Sequence, residues 1–157
     1  MAIELSTAGV SLQYAVEATK GTRPTSGYET IVGIKSIPSL NPAPDTIETT
    51  DLSQTEFKTY IDGLKDLGGA LEFTANLTQD LQTMWDEIVT AYREGAEAGK
   101  SMWFAVVIPG LTNAFYFRGN PSTQGLPAIE VNSVLETSLY ITPTLVEEGW
   151  AAKPAAA

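Results

Sequence analysis

Neither cysteine nor histidine occurs anywhere in the 157 residues. Without cysteine, the fold owes nothing to disulfides and suits a reducing cytoplasm. Without histidine, Ser-His-Asp and Cys-His catalysis lose their imidazole. Without both, structural zinc and most transition-metal sites lack ligands. Carboxylate chemistry, lysine chemistry or no chemistry remains, and no catalytic motif accompanies the first two. The sequence therefore predicts a non-enzymatic protein that needs no cofactor.

Basic residues are scarce as well. Nine Lys and Arg face 19 Asp and Glu, a formal net charge of −10. Arginine occurs only at Arg23, Arg93 and Arg118. A nucleic-acid reader needs clustered cations to neutralise phosphates, so tight DNA or RNA binding is not expected. No apolar run is long enough for a spanning helix, and Met1 to Leu5 lack a basic region followed by an apolar stretch. The expectation is a chain without membrane helix, leader peptide or membrane partner.

What is present is strand-like. The hydrophobic fraction is 43%, enough for one domain with its own core. Leu12, Tyr14 and Val16 alternate with polar or small neighbours, and Leu71, Phe73, Ala75 and Leu77 do so more cleanly. Period two predicts half-buried strands in both places. A β-prone stretch from Tyr28 to Leu40 carries Ile31, Ile34 and Ile37, with Gly33 as a candidate bulge. Thr46 to Thr50 suits a short strand. Met102 to Ile108 is nearly all apolar and predicts a strand buried on both faces. Ala114 to Arg118 predicts another. Ala128 to Thr142 predicts a last one, alternating well to Leu135 and resuming at Leu139. The period changes once: Leu81, Trp85, Ile88 and Tyr92 mark one stripe of a helix near residues 79 to 95, with Gly95 and Gly99 as its stop.

Three segments fit no regular pattern. Met1–Gly9 reads as an arm. Asp51–Leu67 is polar with scattered large apolar residues, a long loop that would pack against something else. The Ala-rich tail, 146–157, reads as frayed. The domain proper is then 1–145. Candidate interface residues are Ile3 and Leu5 in the arm, and Phe57, Tyr60, Ile61, Leu64 and Leu67 in the loop. Four acids are candidates for a surface facing solvent. Glu72, Glu130 and Glu136 stand opposite apolar neighbours on alternating segments, so they leave the core face. Glu48 falls beside Ile47 in the Thr-rich segment.

Tempting motifs fail on geometry. Gly99-Lys100-Ser101 ends like a phosphate-binding loop, but only three residues separate Gly95 from Gly99, and the segment runs from helix into strand. Asp51, Asp62-Gly63 and Asp66 lack the alternating ligands and closing Glu of a calcium loop. Among 19 acids some carboxylate pair is always close, so a glycosidase reading has almost no signal.

The order of short motifs carries more. Met1 to Val10, Tyr14-Ala15-Val16-Glu17, Gly21-Thr22-Arg23-Pro24, Ile34-Lys35-Ser36-Ile37-Pro38 and Thr49-Thr50-Asp51-Leu52-Ser53 follow in sequence. After them come Gly63-Leu64-Lys65-Asp66, Gly68-Gly69, Leu71 to Leu77, Trp103-Phe104, Ile108-Pro109-Gly110, Leu135-Glu136-Thr137 and Ile141-Thr142-Pro143. Together, over residues 1 to about 145, they resemble the major tail tube proteins of long, flexible-tailed bacteriophages. The resemblance implies a mainly β fold, two packed and mostly antiparallel sheets with one flanking α-helix. It implies hexameric rings stacked into a hollow tube, a passive conduit for genome ejection. Implied partners are the chain itself and tape-measure, tail-terminator and baseplate proteins, with DNA passing through the lumen without specific binding. The implied location is the virion tail, with synthesis and assembly in the host cytoplasm. Glu48, Glu72, Glu130 and Glu136 would line the lumen. The alternative reading is a β-sandwich adhesion or carbohydrate-binding module of a virion or cell surface.

Overall fold

A computed structural model describes residues 4–66 and 68–155, with side chains for all of these except 145–148. The chain forms two compact units, one of residues 1–38 and 70–157 and one of Ser39–Gly69. Among the described residues the protein is mainly β, with two antiparallel sheets and a single helix.

In the larger unit, β1 (Ser11–Val16), β2 (Glu29–Thr30), β3 (Ile34–Ser36), β6 (Leu71–Asn76), β7 (Met102–Val107), β8 (Asn113–Pro121) and β9 (Glu136–Ala152) form one sheet. Its strand order is β2-β1-β7-β8-β9-β6-β3, every neighbouring pair antiparallel. The two end strands of that order are consecutive in sequence. From Thr30 to Ile34 the chain reaches at most about 14 Å, whereas the six steps across a flat sheet of this width measure about 29 Å. The sheet must therefore curl until its two ends adjoin. The bridging turn holds Gly33 at φ +76, and a Cβ there would meet the Asn76 carbonyl at 3.3 Å. Gly33 thus works at a turn between two strands rather than as a bulge within one.

Period two assigned the central strands well because their faces are unambiguous. On one face, Tyr14, Phe104 and Phe117 are cross-strand neighbours, and Phe104 stacks on Phe117 at 5.5 Å. On the other, Ala15, Tyr28, Trp103, Ala105, Ala114 and Tyr116 form a buried cluster. β7 lies between β1 and β8, with Met102 to Ala105 all buried. That placement explains its unbroken apolar run.

The helix α1 spans Gln79–Glu97 and lies against β1 and β8. Thr78 caps it in an extended conformation, its Oγ1 accepting from the Leu81 N–H at 3.2 Å. Leu81, Trp85, Ile88 and Val89 are buried, and the Trp85 Nε1 donates to the Ser122 carbonyl at 2.8 Å. The stop is Gly99 alone, at φ +74. Gly95 lies inside the helix, where a Cβ would meet Val16 Cγ1 at 3.1 Å. It is a packing glycine.

Three expectations are corrected. Asp51–Leu67 is not all loop: β4 (Pro44–Glu48) and β5 (Tyr60–Lys65) pair as a hairpin in the smaller unit. The tail from Val146 is not frayed through Ala152. It continues β9, with Phe115 opposite Trp150 and Ala114 opposite Ala151. Ala156 and Ala157 lie outside the described residues. Finally, 128–135 is not strand, and β9 begins at Glu136. The reason is a lack of neighbours. β6 makes its last rung with Leu77 N to Leu135 O, then Thr78 starts the helix. β8 ends at Pro121, and the last rung there is Ser122 N to Tyr140 O. A strand pattern without an adjacent strand leaves backbone groups to water.

Candidate assembly interface

The hairpin of the smaller unit has little apolar burial. Every residue of β4 and β5 is exposed except the half-buried Pro44 and Gly63. Its geometry comes from local polar bonds. Thr49 Oγ1 lies 2.9 Å from Thr59 Oγ1, and the Thr59 N–H donates to Thr50 Oγ1 at 2.9 Å. At the tip, Asp51 Oδ1 accepts from the Ser53 N–H and hydroxyl. Those bonds hold the Asp51 carboxyl below its usual value. Gly63 permits close pairing, since a Cβ there would meet the Asp45 carbonyl at 3.1 Å.

The hairpin holds four of the interface candidates. Phe57 is 79% exposed, Leu64 87%, and Tyr60 and Ile61 just over half. Ile47 and Leu52 join them. In the larger unit Leu5 is half-exposed beside Gly110. Ile3 and Leu67 lie outside the described residues.

A second apolar surface was hidden in the sequence by its own strand pattern. Leu126, Ile129, Val131, Val134 and Leu135 are all exposed on the loop between β8 and β9. Eleven of the fifteen exposed large hydrophobic side chains among the described residues fall in this loop or in the hairpin. Such concentration in two segments differs from the scattered apolar exposure of an ordinary protein surface. The loop and the polar face of β6 and β9 enclose a groove of about 720 Å³, floored by Thr74, Ser138 and Tyr140.

The four acids divide by element. Glu72 and Glu136 stand on the same face of β6 and β9, where Glu72 accepts from the Ser138 hydroxyl at 2.7 Å and Glu136 pairs with Lys35. Glu130 lies on the loop lining the groove. Glu48 stands on β4 in the smaller unit.

One buried carboxylate escaped the sequence reading. Glu17 is 2% exposed and accepts from the Ser101 N–H at 2.7 Å and from Trp103 Nε1 at 3.1 Å. Burial pushes this carboxyl up. The Ser101, Trp103 and Gly21 hydrogen bonds and the Arg118 charge outweigh it and hold the group below its usual value. Arg118 also lies over the Trp103 ring, and Arg23 over the Tyr116 ring at 4.2 Å. The cluster ties the ends of β1 and β7 to the 18–28 loop. Nearby, burial and the Glu29 carboxylate push the Tyr14 hydroxyl up to about 12, so it stays a hydrogen-bond donor. A short local pattern cannot announce such a network, because Glu17, Ser101 and Trp103 are far apart in sequence.

No family model matches the chain, and no curated protein does. Among solved structures, the chain is similar to one in a sixfold-symmetrised cryo-EM structure of the anti-feeding prophage baseplate. The superposition has a TM-score of 0.62 at 10% identity and covers 92% of this chain and 94% of the other. At that identity the likeness is one of fold.

Proposed function

We propose that this protein is a non-enzymatic structural subunit of a phage-type tail. Six copies form a ring, and rings stack into a hollow tube that conducts the genome passively. The observation that carries this reading is the fold likeness to a chain of a sixfold-symmetrised baseplate, extending over nearly the full length of both chains. The apolar hairpin and the β8–β9 loop support it, since a lone subunit leaves both in water. A head-to-tail contact that rotates shut makes a ring, and one that also stacks makes a filament. The partners are further copies, together with tape-measure, tail-terminator and baseplate proteins. The location is the virion tail, after assembly in the host cytoplasm.

The net charge of −10 suits a conduit. An acidic wall repels DNA, so a passing genome does not adhere. Glu48, Glu72, Glu130 and Glu136 are the proposed lumen acids.

Negative-stain microscopy of concentrated protein tests the assembly. Hollow tubes or sixfold rings are expected, and a protein that stays monomeric at every concentration overturns the reading. Replacing Glu48, Glu72 and Glu136 by Lys tests the lumen. Tubes should then retain DNA with an affinity that falls steeply as salt rises. Unchanged DNA retention removes these residues from the channel.

A further inference from the structure

The segment 128–135 has a strand's alternation and no strand to pair with. Among the described residues, no backbone hydrogen bond joins 123–134 to any other backbone group. Within it, one residue departs from extended backbone. Asn132 sits at φ +57, the sole non-glycine at positive φ among the described residues, within the turn at Val131–Ser133. Release of that turn would make 128–135 continuous with β9. Both of its own flanking strands, β6 and β8, have ended by then, so a pairing edge must come from outside the large sheet.

The hairpin supplies such an edge. β4 and β5 form a two-stranded sheet, so each has one open side. β4 carries Asp45 and Glu48, which repel an acidic segment. β5 carries Lys65 and is preceded by Lys58. Laid antiparallel against β5, one register matches at five of its six positions, running through the irregularity that β5 shows against β4 between Asp62 and Lys65. Leu135 meets Tyr60, Val134 meets Ile61, Ser133 meets Asp62 and Asn132 meets Gly63. Val131 then meets Leu64, and Glu130 meets Lys65, so that in this pairing Glu130 belongs to the contact and not to the proposed lumen. Apolar residues face apolar ones, the hydroxyl faces a carboxylate, and opposite charges face each other, the combinations that stabilise cross-strand pairs. Parallel alignment of the same residues puts Glu130 on Tyr60 and Leu135 on Lys65, and loses these matches.

We propose that residues 130–135 of one copy add as an antiparallel strand to the open edge of β5 in a second copy, in that register. The pairing explains why both exposed segments have strand character and why neither is buried in the single chain. It rests on the reading that this protein assembles with itself, and it names the two surfaces that meet.

The absence of native cysteine makes the test clean. Val131→Cys protein mixed with Leu64→Cys protein under mild oxidation should give a covalent heterodimer, because directly opposed residues lie within disulfide reach. Val131→Cys mixed with Ile61→Cys, three residues out of register, should not. A second arm exchanges charge. Glu130→Lys or Lys65→Glu alone should raise the concentration for half-assembly about two- to fivefold at low salt, and the double exchange should restore it. In a third arm, Asn132→Val disfavours the left-handed turn and should lower that concentration about fivefold.

Ring or tube assembly without the in-register heterodimer and without charge rescue overturns the strand pairing and leaves the tail reading standing. An in-register heterodimer in a protein that never forms rings upholds the pairing and overturns the tube. A protein that stays monomeric and does not cross-link overturns both. A Val131→Cys/Leu64→Cys double variant that closes only within one chain also overturns the pairing.

Discussion

The curled sheet and the hairpin use strands in opposite ways. In the sheet, β7 is covered on both sides and Phe104, Ala105 and Tyr116 have no exposure at all. In the hairpin, Leu64, Phe57 and Leu52 project into water, and the strands are held by ladder bonds and threonine hydroxyls. An isolated two-stranded hairpin is marginal in water, whereas a sheet with a packed helix is not. The sheet's apolar residues make the fold. Those of the hairpin contribute little to the single chain, and contact with a second copy is the role proposed for them.

Four substitutions sharpen or break that contrast. Trp85→Ala empties a fully buried site and removes the bond to Ser122, and should cost about 3–5 kcal/mol in denaturant unfolding. Glu17→Gln disrupts the buried carboxylate's bonds to Ser101 and Trp103 and should cost about 1–3 kcal/mol near neutral pH. That cost has a defined pH dependence. The folded carboxyl titrates below its usual value. Its stabilisation is therefore complete above the unfolded value of about 4.3 and fades as pH falls through the lower folded one. Unfolding curves of wild type and Glu17→Gln should converge in acid, and a constant gap across that range assigns the cost to packing instead.

Thr78→Ala removes the helix cap and should cost about 1 kcal/mol by thermal unfolding. Leu64→Ser in the hairpin should change the stability of the single chain by less than about 0.5 kcal/mol, while sedimentation shows the proposed self-association weakened. A loss of core size for Leu64→Ser, on the scale of Trp85→Ala, would erase the distinction between the two regions.

The sequence alone determined the elements whose signal is local. The alternation at Leu12–Val16 and Leu71–Ala75, the stripe from Leu81 to Tyr92 and the apolar run from Met102 each report which side chains share a face. Leu12, Tyr14, Phe73, Ala75, Leu81, Trp85, Ile88 and Met102 to Ala105 are buried as expected, whereas Val16, Leu71 and Tyr92 are only half-buried and Ala15 is buried on the face of β1 expected to be polar or small. The excess of acid, and the lack of imidazole and thiol, were also plain. Tertiary structure decided the rest. A strand exists only where a second strand lies beside it, and period two carries no information about neighbours. Hence 128–135, with a good pattern, is loop, while β5, with a poor one, is strand because Pro44–Glu48 lies alongside. Val146–Ala152 became strand because β8 extends far enough to pair with its end. Curling of the sheet rests on the Thr30–Ile34 connection, whose consequence emerges only once β1 and β6 are known to be its separate partners. Glu17 follows the same rule: its partners are 84 and 86 residues away, and only the pairing of β1 with β7 brings them within hydrogen-bonding distance.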